Sequence, residues 1–112
     1  MSDRPPEPFR CEVETAHGKV HVIPHGEIDL ASVGVLEAKL RELRDTGFDH
    51  LVLDLREVSF MDSTGLRLIL TWDAESREEG VDFGVIRGTP IVQRLFEATG
   101  VSGRLRFVEP AG

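Results

Sequence analysis

Four consecutive residues offer the most chemistry in this sequence, namely Asp62, Ser63, Thr64 and Gly65. They follow an apolar segment that ends at Met61 and precede an amphipathic one, so they stand where a helix would begin. Asp and Ser at such a place accept hydrogen bonds from free backbone N–H groups, and a helix cap is their simplest explanation. The same place also suits an anion, because the positive end of the helix dipole stabilises negative charge. A phosphoserine at Ser63 would therefore be tolerated, and it would add about −1.5 to −2 charges to the surface.

No established catalytic motif includes Ser63. Its neighbours do not form the G-x-S-x-G turn of serine hydrolases, and no general base is placed beside the hydroxyl. An additional residue between Asp62 and Gly65 separates the segment from the Asp-Ser/Thr-Gly pattern of aspartic proteases. The sequence also lacks the G-x-x-x-x-G-K-[ST] loop that binds nucleotide phosphates. An enzyme that uses Asp62 and Ser63 is therefore the weakest functional hypothesis.

Asp54 and the histidines are the remaining candidates for chemistry. Asp54 ends an apolar strand, as a phospho-accepting aspartate of a receiver domain would, but such a domain also needs a lysine after a later strand. The only lysines are Lys19 and Lys39, both early, so a structural hydrogen-bonding role for Asp54 is favoured. The four histidines are His17, His21, His25 and His50. Because no cysteine pair or H-E-x-x-H pattern accompanies them, we expect surface histidines and no metal site.

Composition narrows the class of protein further. The chain has 112 residues, a length that fits one domain, and its hydrophobic fraction of 40% fits an ordinary globular protein. A formal net charge of −7 disfavours nucleic-acid binding, because phosphates would be repelled on average. Cys11 is the only cysteine, which excludes an internal disulfide and a cysteine zinc site. With no apolar segment long enough to span a bilayer and no secretory signal, we expect a cytoplasmic protein.

The first half of the chain predicts two strands, a helix and a third strand. Residues 1–8 contain three prolines and are expected to be a flexible leader, and residues 9–112 are expected to form one domain. Period-two alternation from Phe9 and an apolar run from Val20 predict a hairpin whose second strand bends at Pro24. Asp29 is expected to cap a helix that ends near Gly47. The almost wholly apolar residues 51–55 predict a strand buried on both faces.

The second half predicts a loop followed by alternating helices and strands. The loop contains Phe60 and Met61, and helices are expected from Ser63 to Gly80 and from Thr89 to Gly100. Strands are expected over residues 81–86 and 105–108. Together the pattern predicts an α/β domain with a mixed sheet that opens on a β-hairpin, with helices packed on the sheet.

Two apolar residues lie off the inward stripe of the helix that begins at Ser63. Leu68 and Trp72 do not share the face formed by Leu66, Ile69 and Leu70. They could be exposed and contact a partner, or they could pack under a neighbouring helix or strand. The sequence leaves both interpretations open.

Several motifs in order resemble the STAS domain family, in particular its bacterial anti-sigma factor antagonists (anti-anti-sigma factors). The segment FMDSTGL, residues 60–66, is similar to the family's D-S-[ST]-G-L signature. The segment GEID, residues 26–29, matches a second family feature, and LVLDL at residues 51–55 matches a third. A late helix that begins with Thr89-Pro90 and ends near Gly100 matches a fourth. The resemblance extends from about Phe9 to Val108 and implies a single STAS domain.

The resemblance implies partner switching in the regulation of a sigma factor. The unphosphorylated protein would bind an anti-sigma factor that is also a serine kinase, and the sigma factor would be released. Phosphorylation at Ser63 would switch that binding off, and a separate serine phosphatase would restore it. Catalysis would lie in the partners, without a cofactor, nucleic acid or membrane. The expected partner-binding residues are Glu27, Asp29, Asp62, Ser63, Thr64 and Gly65.

A second hypothesis assumes the same STAS fold but no phosphorylation of Ser63. The chain would then be a constitutive STAS scaffold, such as the accessory subunit of a lipid-transporting ATPase. Ser63 and Thr64 in an intact acceptor motif argue against it. Only four residues follow the last expected strand, so we expect the final helix found in many family members to be absent or formed by other residues.

Overall fold

Over residues 8–110 the chain forms five strands and three helices and opens with a hairpin. The computed structural model describes residues 8–110, so most of the expected leader lies outside the described residues. The strands are β1 (Arg10–Ala16), β2 (Lys19–Ile28), β3 (His50–Asp54), β4 (Val58–Met61) and β5 (Asp82–Ile86). The helices are α1 (Val33–Thr46), α2 (Ser63–Glu79) and α3 (Pro90–Ala98), followed by a 3₁₀ turn, Ser102–Arg104.

The sheet is mixed and has the order β1-β2-β3-β5. His17 and Gly18 join β1 to β2 with positive φ angles of 55° and 77°, as a two-residue hairpin turn requires. β3 pairs in parallel with the first part of β2, β5 pairs in parallel with β3, and β4 pairs in parallel with the last part of β2. The predicted α/β fold with a mixed sheet and an opening hairpin is confirmed.

β2 continues through Pro24, where the sequence predicted a bend. Pro24 falls between the residues that pair with β3, which end at Val22, and those that pair with β4, which begin at Gly26. Its missing N–H therefore costs no ladder hydrogen bond on that side of the strand. The irregularity lies further on, because the register with β4 shifts between Gly26 and Glu27.

The core lies between one face of the sheet and helices α1 and α2. Both helices contribute apolar stripes, and the sheet contributes alternate residues of β2, β3 and β5. The buried residues include Val20, Val22, Leu36, Leu40, Leu51, Leu53, Leu66, Ile69, Phe83 and Val85. α3 packs beside β4 and buries Val92 and Phe96.

Trp72 and Leu68 belong to this core and are not exposed. Trp72 is 1% exposed and Leu68 is 8% exposed. The Arg44 guanidinium of α1 lies 4.9 Å from the centroid of the Trp72 ring, where a cation–π attraction adds to the packing. α2 contacts α1, β4 and β5, so it buries a wider arc than one stripe. The packed interpretation of both residues is therefore the right one.

Two boundaries differ from those that the sequence predicted. The segment that contains Phe60 and Met61 is not simply a loop, because Val58–Met61 forms strand β4. Residues 105–108 form no full strand, and only Phe107 makes a β-bridge, to Val85 of β5. Pro90 occupies the first turn of α3 as predicted, but Thr89 makes no side-chain capping bond.

Candidate functional site

Ser63 is the first residue of α2, at the edge of the sheet where β2 and β4 both end. Ile28 pairs with Met61 at the ends of these parallel strands. The backbone N–H of Asp62 then donates to the carbonyl of Ile28 over 3.1 Å. The loop before α1 and the start of α2 are thereby brought to one end of the sheet. We call the six residues there the Ser63 patch, and they are Glu27, Asp29, Asp62, Ser63, Thr64 and Gly65.

Asp62 caps α2 from an extended backbone conformation. Its Oδ1 accepts hydrogen bonds from the backbone N–H of Thr64, over 2.9 Å, and from the Thr64 hydroxyl, over 2.5 Å. The hydrogen bond from the Thr64 hydroxyl, with backbone N–H donors at the start of the helix, lowers the pKa of Asp62 below its usual range. Asp62 is thus the predicted cap, and it is a stable anion near neutral pH.

Ser63 itself is exposed, and its hydroxyl makes no hydrogen bond to any other described residue. It lies at the positive end of a helix of 17 residues, where a negative group is stabilised. The geometry leaves the Ser63 oxygen accessible to a second protein.

Asp29 holds the turn before α1 and is not the cap residue of that helix. Its Oδ1 accepts from the backbone N–H groups of Ala31 and Ser32, over 3.0 and 3.1 Å. The Ser32 hydroxyl donates to the carbonyl of Glu27 over 2.6 Å, and α1 begins only at Val33. The expected capping by Asp29 therefore acts one turn earlier, and the Glu27 side chain remains exposed.

Gly65 is buried and permits α2 to approach the ends of β2 and β4. A Cβ at this position would lie 2.6 Å from Cγ of Met61 and 2.7 Å from Cγ2 of Ile28. Such distances are too short for carbon atoms, so only glycine fits without displacement of these side chains. Within the Ser63 patch, Gly65 sets the position of the helix start.

We expect opposite effects from alanine at two helical glycines. Gly65→Ala should lower the free energy of unfolding by about 1 to 3 kcal/mol, the usual cost of overpacking a core. Gly34→Ala in α1, where a Cβ meets nothing within 4 Å, should raise it by up to about 1 kcal/mol. Urea unfolding followed by circular dichroism measures both. Equal effects of the two changes would contradict the tight fit at Gly65.

A groove next to the Ser63 patch combines apolar and acidic groups. It has a volume of about 580 Å³, and its lining includes Phe9, Val35, Glu27, Asp29 and Glu57. Sequence reasoning missed Phe9, Val35 and Glu57 as surface residues of this site. Val35 is 53% exposed, and its place off the buried stripe of α1 was the available signal.

Asp54, His17, His21 and His50 lie outside this site, whereas His25 lines the groove. Asp54 is 3% exposed, and the Arg56 guanidinium donates to its Oδ2 over 2.7 Å. Burial alone would raise the pKa of Asp54, but the hydrogen bonds from Arg56 hold it below its usual range. His25 pairs with Glu12 over 2.8 Å. Within residues 8–110 no cluster of three His, Cys, Asp or Glu side chains could hold a metal ion.

Among residues 8–110, no helix is both long and apolar enough to cross a bilayer.

The α/β fold with an exposed serine at the end of its sheet corresponds to a known family. A family model described as "Mlab, STAS domain" matches residues 11–109, and the chain belongs to the STAS domain family. Two curated relatives are each named "Anti-sigma-B factor antagonist". The one from Staphylococcus aureus (strain NCTC 8325) is 33% identical over 84 residues, which are 75% of this chain and 78% of the relative. The one from Bacillus subtilis (strain 168) is 33% identical over 93 residues, 83% of this chain and 84% of the relative.

Solved structures agree with this membership. An anti-sigma factor antagonist from Mycobacterium paratuberculosis has a TM-score of 0.78 at 27% identity, covering 93% of this chain and 87% of that one. The Bacillus cell fate determinant SpoIIAA in its phosphorylated form has a TM-score of 0.68 at 22% identity, covering 93% and 92%, and it supports the fold. Within the STAS family, this chain groups with the anti-sigma factor antagonists.

Proposed function

We propose that this protein is an anti-sigma factor antagonist controlled by phosphorylation of Ser63. The unphosphorylated form binds an anti-sigma factor that has serine kinase activity and thereby releases a sigma factor. The single observation behind the proposal is the exposed, unengaged hydroxyl of Ser63 at the start of α2, within a motif similar to the family's acceptor signature. The names of the curated relatives support the same function.

The Ser63 patch is the proposed binding face. Glu27 is exposed, and Asp29 and Asp62 are half-buried, so the face is acidic before any modification. A phosphate on Ser63 would add about −1.5 to −2 charges to it. The helix dipole would keep the phosphorylated protein folded, while the partner would meet a larger negative charge. We therefore propose that release follows because the added charge is repelled by an acidic surface of the partner or is unfavourably desolvated against an apolar one.

The proposed division of labour leaves catalysis to the partners. The antagonist supplies a phosphate acceptor and a binding face, the anti-sigma factor transfers phosphate from ATP, and a serine phosphatase removes it. This cycle belongs in the cytoplasm, and it requires neither a cofactor nor direct contact with nucleic acid.

A constitutive scaffold is the alternative function. The description of the matched family model names Mlab, and such a scaffold would bind its partner without any phosphate. A pull-down that recovers a transporter ATPase in place of a kinase-like anti-sigma factor would favour this alternative.

Phosphate mapping tests the proposal directly. The protein is incubated with each kinase-type anti-sigma factor of its own genome in the presence of ATP, and the modified residue is located by mass spectrometry. We expect phosphate on Ser63 and loss of the complex, whereas Ser63→Ala should stay unmodified and bound. Failure of every such kinase to modify Ser63, or release upon addition of ATP of Ser63→Ala protein that carries no phosphate, would refute the proposal.

A further inference from the structure

Ser63 and Thr64 are adjacent hydroxyl residues at the start of α2, and they differ in exposure and in hydrogen bonding. Ser63 is exposed, whereas Thr64 is half-buried. A kinase that docks at the Ser63 patch meets both residues, and both are ordinary phosphate acceptors. The choice between them is therefore a property of this chain as well as of the kinase.

The Thr64 hydroxyl is hydrogen-bonded to Asp62. It donates to Asp62 Oδ1 over 2.5 Å, and the same oxygen accepts from the Thr64 backbone N–H over 2.9 Å. Two bonds from one residue to one oxygen fix the side-chain rotamer of Thr64 and point its oxygen at the capping carboxylate. A bond of this kind to an ionised group is about twice as strong as one between neutral groups.

A phosphate on Thr64 would also be placed badly. Its charge of about −1.5 to −2 would replace the proton that now lies between the Thr64 oxygen and the Asp62 carboxylate. A phosphate on Thr64 and the carboxylate of Asp62 would be in close contact and would repel each other strongly. The hydrogen bonds that cap α2 would then have to break.

We infer that Asp62 determines which hydroxyl is phosphorylated, by holding Thr64 and leaving Ser63 free. Asp62 is thus a positioning residue that gives the modification its site specificity, in addition to capping α2. The inference rests on the proposed function, since it assumes that a kinase modifies this segment.

The transfer step shows why a free hydroxyl is needed. The acceptor oxygen forms a bond to the γ-phosphorus of ATP, and the bond from that phosphorus to the β,γ-bridging oxygen breaks. ADP leaves with the electron pair, and the hydroxyl proton passes to a base of the kinase. The Ser63 hydroxyl makes no hydrogen bond to another described residue, so it has no such bond to break before it approaches the nucleotide. Thr64 must first give up its bond to Asp62.

The test compares variants in which Thr64 is the only acceptor. Ser63→Ala should carry little phosphate on Thr64 after incubation with the kinase and ATP. Asp62→Ala/Ser63→Ala should carry about tenfold more, because removal of a hydrogen bond to a charged group frees the Thr64 hydroxyl. Ser63→Thr is the matched control, and its phosphorylation at residue 63 would show that the kinase accepts a threonine hydroxyl.

Each outcome decides a separate question. If the wild-type protein is not modified at Ser63, the proposed function fails. If Ser63 is modified in the wild type but Ser63→Ala is modified as readily at Thr64, the inference on Asp62 is overturned. The inference also fails if Asp62→Ala abolishes phosphate at every position, since Asp62 would then serve kinase binding. A readout without kinase is the exchange of the Thr64 hydroxyl proton by NMR, which should be slow in the wild type and fast in Asp62→Ala.

Discussion

Ser63→Glu is expected to weaken binding of the anti-sigma factor by about thirtyfold or more. A permanent carboxylate at the start of α2 mimics part of the phosphate charge and adds it to a face that already contains Glu27, Asp29 and Asp62. The factor corresponds to about 2 kcal/mol, a typical cost for a change at the centre of an interface. Isothermal titration calorimetry with the purified anti-sigma factor measures it.

A control variant separates the effect of a charge at Ser63 from the effect of the added net charge. Thr71→Glu makes the same hydroxyl-to-carboxylate change at an exposed residue of α2, about 12 Å further along the helix. We expect this control to bind nearly as the wild type does. Raising the ionic strength should recover part of the affinity of Ser63→Glu, because the Debye screening length falls to about 3 Å at 1 M salt. A loss of affinity that is equal at both positions would contradict a local effect at Ser63.

Trp72→Ala is expected to lower the free energy of unfolding by about 3 to 5 kcal/mol. The indole is among the largest fully buried side chains, and its removal leaves a cavity between α1, α2 and the sheet. Since a small domain is stable by only about 5 to 15 kcal/mol, this change should bring the protein close to unfolding. Because Trp72 is the only tryptophan, circular dichroism in urea and not fluorescence is the suitable measurement.

Two further variants check that the cavity causes this loss. Trp72→Phe keeps a ring in the core and should cost clearly less than the alanine change. Val35→Ala removes an apolar side chain that is 53% exposed and should cost under about 1 kcal/mol. A Trp72→Ala loss no larger than that of Val35→Ala would contradict the core position of the indole.

The sequence predicted the start of α2 well because the signals for it are local. Spacing alone gave Asp62 and Ser63 a capping role and began a helix at Ser63, since capping depends on neighbours in the chain, and the structure gives the cap to Asp62. Apart from β4 and residues 105–108, the order of strands and helices also followed from local periodicity. The hydrogen bond between Thr64 and Asp62 was not foreseen, because it depends on one rotamer of Thr64.

The errors arose where distant residues decide the structure. Gly26 of β2 pairs with Val58 of β4, but the next residue of β2, Glu27, pairs with Phe60. Ser59 is therefore an extra residue in β4, and the alternation with a period of two is lost there. No local pattern could therefore reveal that strand. Leu68 and Trp72 were undecided because their burial depends on α1 and β5, which contact α2 from other parts of the chain.

β1 also bears on how copies of this chain meet one another. It ends the order of the sheet, and an outer strand can pair with the same strand of a second molecule. Three of its seven residues, Arg10, Glu12 and Glu14, are charged and alternate along it. Pairing two copies of β1 edge to edge would bring carboxylates of the two molecules close together and would remove part of their hydration. Self-association through this edge is therefore disfavoured.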